Sequence, residues 1–269
     1  MIRSGNRDGR NDSADVDFET DGVSFGLDYR VNEAFVLGGG VGYGTDGSDV
    51  GENGSRSEGR AYTFALYGSY SPGEVFFLDG LWGYQSLDYD LRRFVTTNGN
   101  FVNGNRGGSQ WFGSVSAGAD IAAGNAWQFT PYARIDVAKA KLDSYTETGD
   151  AIFALAYNEM EVDTTTGNAG VRIDYRRETT WGLFSPQLRV EYQHDFKGSG
   201  AQTMRYADLP SGPFYRATFS DFDRSRWMFG LGFLFDLNND WSFKLDYRGL
   251  IGNGGDRDHG VQLNVDKKF

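Results

Sequence analysis

Residues 261–269 have the sequence Val-Gln-Leu-Asn-Val-Asp-Lys-Lys-Phe, in which apolar and polar side chains alternate with a period of two. Successive side chains of a β-strand point to opposite faces. The apolar residues therefore share one face of a predicted final strand: Val261, Leu263, Val265 and Phe269. A soluble protein rarely ends in mid-strand on an exposed Phe, so this stretch favours a strand with one face in lipid.

The same stretch resembles the C-terminal assembly signal of bacterial outer-membrane β-barrels, which ends in Phe. Lys267 departs from that signal, because an apolar residue is usual at this position. Ten earlier segments, from Gly22 onward, share the alternating design. Their repetition supports a transmembrane barrel, whose strands have apolar outer faces and polar inner faces.

The composition agrees with a barrel and excludes several other classes of protein. The mean hydropathy is -0.51, although 16% of the residues are aromatic. That combination suits an apolar belt around a polar lumen. No run of about 18 apolar residues is present, which excludes helical membrane spans. The net charge of -11 argues against a nucleic-acid partner, and the absence of Cys excludes disulfides and thiolate chemistry.

Three features favour a membrane barrel over the alternative, a soluble sandwich. Charged residues occupy mid-strand positions on the polar faces, where they can pair across a wet lumen. Short turns alternate with long polar loops near residues 46–59, 94–108, 143–156, 197–224 and 252–258. Aromatic residues flank the short turns, as membrane-interface girdles require: Tyr29, Phe35, Tyr70, Phe76, Trp127, Tyr175, Trp181, Phe235 and Trp241.

The predicted fold is all-β: a transmembrane antiparallel up-and-down barrel with short periplasmic turns and long extracellular loops. Eleven strands can be traced from Gly22 onward, whereas single-chain bacterial barrels have even strand numbers. We therefore predict about twelve strands in one domain of residues 1–269, with a poorly patterned first strand, or part of one, in residues 1–21. No signal peptide is visible, so we expect the precursor to extend upstream of Met1.

Short fragments follow one another along the chain in a specific order: Gly26–Val31, Val36–Tyr43, Leu66–Tyr70, Thr130–Arg134, Asp143–Glu147, Ala154-Leu155, Ser185–Leu188, Glu191–Phe196 and the terminal Phe269. Together they resemble the C-terminal translocator domain of autotransporters, the type V secretion system of Gram-negative bacteria. The resemblance extends over the whole chain.

This resemblance implies a twelve-stranded outer-membrane barrel that supports export of an upstream passenger to the cell surface. The implied partners are outer-membrane lipid, the barrel-assembly machinery, and a passenger joined by a helix that threads the pore. The barrel itself is expected to be monomeric. Residues 1–13 are rich in Gly, Asn and Asp, which have poor helix propensity, so we expect the helix and the passenger to lie upstream of Met1.

Strand parity places a set of charged side chains toward the predicted lumen: Asp28, Arg30, Arg134, Asp136, Arg172, Asp174, Arg189, Glu191, Lys244, Asp246 and Arg248. One interpretation is that they line a wet passage and hold the linker helix. The other is that they only pair with one another and support the barrel, since an unpaired buried charge is costly. Glu147 is predicted near the rim, where it either caps a loop or contacts the helix.

No catalytic residues, cofactor site or metal site are predicted, and we expect the barrel not to be an enzyme. His194 and His259, the only histidines, belong to different strands. Residues 38–40 are all Gly but lie inside a strand and open no helix, so close packing or lumen clearance explains them better than phosphate binding. The alternatives to a translocator are a small outer-membrane porin or solute channel, and an adhesin-type barrel whose long loops bind ligands.

Overall fold

A computed structural model of the chain describes residues 2–7, 15–198, 200–219, 224–252 and 257–268. Its elements are all β-strands: β1 (Ile2–Arg7), β2 (Val16–Asn32), β3 (Phe35–Val50), β4 (Ser55–Tyr70), β5 (Phe76–Phe94), β6 (Phe101–Ala119), β7 (Ile121–Ala123), β8 (Trp127–Leu142), β9 (Tyr145–Thr146), β10 (Leu155–Tyr157), β11 (Met160–Tyr175), β12 (Arg177–Thr179), β13 (Gly182–Lys197), β14 (Gly200–Tyr206), β15 (Tyr215–Phe219), β16 (Ser225–Leu237), β17 (Trp241–Gly252) and β18 (Arg257–Lys267). Among these residues there is no helix long and apolar enough to cross a membrane.

Twelve strands of the described part of the chain form a closed antiparallel barrel. Their order is β1, β2, β3, β4, β5, β6, β8, β11, β13, β16, β17 and β18, and β18 pairs back onto β1. Each barrel strand therefore lies beside its neighbours in sequence. We call the end with the short turns, where β7 and β12 lie, the turn end. The opposite end, which carries β9, β10, β14 and β15, is the loop end.

The two faces of the barrel strands differ in polarity as the alternation predicts. Large apolar side chains of the outer face are exposed, and on β2 the exposed fractions of Val23, Phe25, Leu27 and Tyr29 lie between 68% and 78%. The buried apolar side chains of the described residues are few: Val95, Val102, Ala154 and Met228. A soluble domain of this length would bury many more, whereas a barrel in lipid turns its apolar side chains outward. The predicted barrel fold is thus confirmed.

The final strand presents its apolar residues outward, and Lys267, at its end, contacts the neighbouring turn and the start of β17. Leu263 is 63% exposed on the outer face, with Val261 and Val265 on the same face. The Lys267 ammonium donates a 2.6 Å hydrogen bond to the Asn239 carbonyl oxygen and lies 5.4 Å from the centroid of the Trp241 ring. Lys267 can therefore keep its charge at the turn end while its stem covers apolar surface. Phe269 lies outside the described residues.

The strands extend further toward the loop end than the apolar pattern indicates. The predicted loop 46–59 is reduced to residues 51–54, because the polar ends of β3 and β4 form ladder pairs as far as Val50↔Ser55. The predicted loop 94–108 is likewise reduced to residues 95–100. These two loop-end connections are therefore shorter than the sequence predicts. Backbone pairing continues beyond the lipid-facing belt, where the side-chain pattern that marks a membrane strand has already ended.

The N-terminal region contributes a short strand and the start of a long one. β1 pairs with β2 from Ile2↔Asp21 to Arg7↔Val16, and with β18 from Ile2↔Val261 to Asn6↔Arg257. Residues 16–21, which the sequence assigned to the first strand, belong to β2. β1 therefore closes the barrel only along the loop-end halves of its two neighbours.

Aromatic rings on the inner face lie over glycines of the facing strand. Tyr67 covers Gly38, its direct ladder partner, and a Cβ atom added at Gly38 would lie 2.2 Å from the ring. Phe112 covers Gly83 in the same way, with 2.3 Å between the added Cβ and the ring. These glycines are needed for close packing inside the barrel, because any larger residue would displace the ring.

Candidate functional site in the barrel lumen

Polar side chains from one half of the barrel surround a cavity of about 310 Å³. The cavity extends from β8 through β11, β13, β16 and β17 to β18. Seven predicted site residues line it: Arg134, Arg172, Arg189, Glu191, Lys244, Asp246 and Arg248. Five of these are cations and two are carboxylates, so the cavity is positively charged although the chain has a net charge of -11.

Glu191 is the centre of the first hydrogen-bonded group on this surface. Glu191 is fully buried, with 0% of its surface exposed. The carboxylate accepts a 3.2 Å hydrogen bond from Nη2 of Arg134 and a 2.7 Å hydrogen bond from Nε2 of Gln193. The hydroxyl of Tyr132 donates a further hydrogen bond to the other carboxylate oxygen. Three donors thus compensate the burial of one charge.

Asp136 extends this group along β8. Its carboxylate lies 3.0 Å from Nε of Arg134, so this one guanidinium joins two acidic side chains. Nδ2 of Asn168, on the neighbouring strand, donates a 2.7 Å hydrogen bond to the same carboxylate. The result is a connected network across β8, β11 and β13 that holds Arg134 in one position.

Arg172 organises a second group, nearer the turn end. Its Nε lies 2.9 Å from the carboxylate of Asp174, which is buried, and its Nη2 lies 3.7 Å from the carboxylate of Asp120. The Thr130 hydroxyl donates a 2.6 Å hydrogen bond to Asp120. On β17, Lys244 and Asp246 form a separate ion pair at 3.3 Å.

Two of the predicted site residues belong neither to these groups nor to the lining of the cavity. Asp28 and Arg30 lie on β2, outside the lining of the cavity, and both are exposed. Neither forms an ion pair with any residue that the structure describes. Their ladder partners are Gly38 and Val36 of β3, which offer no charge. The predicted lumen residues that form ion pairs therefore lie on β8, β11, β13 and β17.

Several residues of the site were not selected from the sequence. Tyr132 and Asn168 lie on the predicted inner faces but carry no charge, so a selection of ionised side chains passed over them. Asp120 follows β6 at a turn, where strand parity gives no direction for a side chain. Arg3 and Asp258, which form an ion pair between β1 and β18, lie where the first strand was poorly patterned. Inner-face parity applied to all polar residues could have identified Tyr132 and Asn168.

Glu147 lies at the loop end and is buried, with 5% of its surface exposed. Its carboxylate accepts hydrogen bonds from Nε and Nη2 of Arg93 at 2.9 and 2.6 Å, and from the Leu155 amide at 2.8 Å. The Tyr145 and Tyr157 rings stack beside it, with centroids 4.6 Å apart. Glu147 therefore joins β5 to the connection between β8 and β11, which is the loop-capping arrangement.

A neighbouring carboxylate fixes the tip of the same connection. Asp150 accepts hydrogen bonds of 2.9 Å from each of the backbone amides of Phe153 and Ile152, and the side chain of Asn98 donates a third, at 2.7 Å. These donors hold the pKa of Asp150 below its usual range. The contribution of Asp150 to loop stability is therefore present above the ordinary carboxyl pKa and is lost as the pH falls below it.

Replacing Glu147 with glutamine should loosen the loop end without unfolding the barrel. The change removes the charge that binds Arg93, and a hydrogen bond to a charged group contributes about 1.5–3 kcal/mol. We expect proteases added to intact cells to cut near residues 143–157 faster in Glu147→Gln than in the wild type. Glu159→Gln is the control, because Glu159 forms an exposed ion pair with Lys141 at 2.8 Å. Equal cutting of the two variants would contradict a capping role for Glu147.

The two histidines have different hydrogen-bond partners, on different strands. His194 Nδ1 lies 2.9 Å from the Ser225 hydroxyl, and His259 Nδ1 lies 2.8 Å from the Tyr247 hydroxyl. In the part of the chain that the structure describes, no three His, Asp or Glu side chains are grouped so that they could hold a metal ion.

The closed barrel, its apolar outer face and its charged inner face define the class of protein: a transmembrane β-barrel of the bacterial outer membrane. The family model for the autotransporter beta-domain matches residues 1–248. The chain belongs to this family. It is a translocator barrel of type V secretion, located in the outer membrane of a Gram-negative bacterium.

Two curated relatives match part of the chain. The chain is 28% identical over 177 residues to Lipase 1 of Photorhabdus luminescens, a match that covers 65% of this chain and 27% of the relative. It is 26% identical over 213 residues to esterase EstA of Pseudomonas aeruginosa, with 77% of this chain and 32% of the relative covered. The chain thus spans only about a quarter to a third of the length of these relatives.

The fold is similar to a solved translocator domain. The structure of the translocator domain of the autotransporter NalP from Neisseria meningitidis superposes with a TM-score of 0.79 at 16% sequence identity. The superposition covers 100% of this chain and 86% of that structure. With family membership established, the turn end corresponds to the periplasmic side and the loop end to the extracellular side.

Proposed function

We propose that the charged inner face of this barrel is the surface along which an upstream passenger and its linker helix pass to reach the cell surface. The observation that carries the proposal is the network around Glu191 and Arg134, which fixes polar side chains on the inner face of the barrel. Such a surface offers hydrogen bonds to a polypeptide backbone without exposing apolar side chains that would retain it. The eleven predicted lumen residues, including Asp28 and Arg30, are part of this proposal.

The partners follow from the same proposal. An upstream helix occupies the lumen after export, and outer-membrane lipid surrounds the single barrel. The barrel-assembly machinery recognises the final strand through Val261, Leu263, Val265 and Phe269. Support comes from the outward orientation of the first three of these side chains and from the sequence of the last strand. We further propose that the barrel catalyses no reaction, and that any lipase or esterase activity, as in the names of its relatives, would belong to a passenger.

A reporter passenger tests the lumen proposal. A signal peptide, an epitope and a helical linker are placed ahead of Met1, and the epitope is measured on intact cells by antibody binding per folded barrel. Arg134→Glu is expected to lower display, because it places a third carboxylate beside Glu191 and Asp136. Lys139→Glu is the matched control on the same strand, since Lys139 is an exposed partner of Glu161.

The amount of folded barrel is measured in parallel by its heat-modifiable mobility on gels. Arg134→Gln provides a second variant if the charge reversal prevents folding. Wild-type display in a fully folded Arg134→Glu barrel would show that this face is not the path of the passenger.

A further inference from the structure

Four arginines lie on one line around the inside of the barrel. Following ladder partners from β11 to β1 gives a continuous row: Arg172, Arg189, Gly230, Arg248, Gly260 and Arg3. Neighbouring strands are about 4.8 Å apart, so the row brings four guanidinium groups into one half-ring. We call this set of six residues the arginine row.

The two glycines give the guanidinium groups room to lie across the row. A Cβ atom added at Gly260 would lie 3.1 Å from Nε of Arg248. A Cβ atom added at Gly230 would lie 3.3 Å from Cβ of Arg189. Side chains larger than hydrogen at these positions would crowd the arginines, so the glycines preserve the open space of the cavity between β13 and β18.

Only part of this positive charge is neutralised by the protein. Arg172 is paired with Asp174 at 2.9 Å, and Arg3 is paired with Asp258. Among the residues that the structure describes, neither Arg189 nor Arg248 forms a direct ion pair with a carboxylate. Arg189 lies 5.5 Å from the centroid of the Tyr132 ring. Nε of Arg248 is buried and has no hydrogen-bond partner.

This arrangement favours the binding of a group that supplies negative charge. Arg172 and Arg189 are direct ladder partners, and like charges directly opposite each other destabilise a sheet. Arg189 and Arg248 are two strands apart with Gly230 between them, roughly 10 Å from Cα to Cα. Arginine side chains are long enough for both guanidinium groups to contact one anion that lies between them.

We propose that Arg189 and Arg248 form an anion-binding site in the lumen, which binds oxyanions such as carboxylate and phosphate groups more tightly than chloride. The planar guanidinium binds both oxygens of such a group in a bidentate manner. Rings of arginine and lysine also give pores a preference for anions. The oxyanion can be a free ion or an acidic side chain of a polypeptide inside the barrel. Such a site binds an anion in the lumen whether or not a passenger is exported through the barrel.

Planar-bilayer recordings of the 269-residue chain test the site. In a KCl gradient, the wild-type reversal potential is expected to show preference for chloride, and Arg189→Gln with Arg248→Gln should shift it toward potassium. Arg189→Lys, which keeps the charge, should retain most of the preference. Arg176→Gln with Arg177→Gln is the control, because both arginines are exposed in the periplasmic turn and the pair makes the same change in net charge. A double variant with the wild-type reversal potential would overturn the proposal.

Two probes distinguish the sources of the oxyanion. Inorganic phosphate and a hexaglutamate peptide are added separately to one side of the bilayer, and the reduction in single-channel current is titrated. Block by phosphate supports binding of free anions, and block by the peptide alone supports a polypeptide ligand. In either case the double variant should need at least several-fold more probe. The proposal fails if neither probe blocks, or if the double variant is blocked as readily as the wild type.

If a barrel does not conduct, binding of the same two probes is measured by calorimetric titration of the folded protein in detergent. Heat of binding that disappears in the double variant supports the site. The absence of binding heat in the wild type overturns it.

Discussion

Glu191→Gln is expected to lower the free energy of unfolding of the barrel by about 3 kcal/mol, the lower end of the range for breaking a buried ion pair. The carboxylate is fully buried and accepts hydrogen bonds from Tyr132, Arg134 and Gln193. Glutamine is of similar size but cannot neutralise Arg134. The loss stays at the lower end because Arg134 keeps its 3.0 Å contact with Asp136.

Urea unfolding in lipid vesicles, followed by tryptophan fluorescence, measures this effect. Glu161→Gln is the matched control, because it removes the same charge from an exposed ion pair with Lys139, and such pairs contribute about 0.2–1 kcal/mol. Similar losses for the two variants would mean that Glu191 is not the centre of a buried network.

Gly170→Ala is expected to destabilise the barrel by about 1–3 kcal/mol, as overpacking does elsewhere. A Cβ atom at Gly170 would lie 2.7 Å from the Val190 carbonyl oxygen and 2.9 Å from the Tyr132 hydroxyl. Gly170 is the ladder partner of both Tyr132 and Glu191, so the added methyl group pushes on the donor of the Glu191 hydrogen bond. The backbone oxygen cannot move aside as a side chain could.

Gly80→Ala separates this effect from the general cost of replacing a strand glycine. Gly80 lies within β5, and no atom lies within 4 Å of a Cβ added there. This variant should be neutral or slightly more stable, because alanine restricts the unfolded chain. The same urea titration compares the two. A Gly170→Ala barrel as stable as Gly80→Ala would contradict the close packing of Tyr132 on Gly170.

The fold could be predicted largely from the sequence because a membrane barrel imposes one rule on every strand. Apolar residues must face lipid, so the alternation that ends in Val261, Leu263 and Val265 is repeated around the barrel. Strand ends at the extracellular side could not be predicted. There, strands leave the lipid and pair through polar residues, as Asp46 does with Gly59.

For the site, the sequence could predict only that these polar side chains share the inner face of the barrel. Parity gives the direction of Arg134, Arg189 and Glu191 but not the partner of each, because that depends on the register between strands far apart in sequence. Arg189 and Arg248 illustrate the limit. Their common row through Gly230 follows from two ladder registers that no local pattern contains.

Export of a passenger is tested most directly on intact source cells with an antibody to this barrel. The apparent mass of the labelled protein is compared before and after external protease. We expect a band far above the 29.8 kDa of this chain that is shaved to near that size, or, where the passenger has been cleaved, a released partner in the medium. A band near 29.8 kDa that protease does not change, with nothing released, would contradict a translocator and favour a porin.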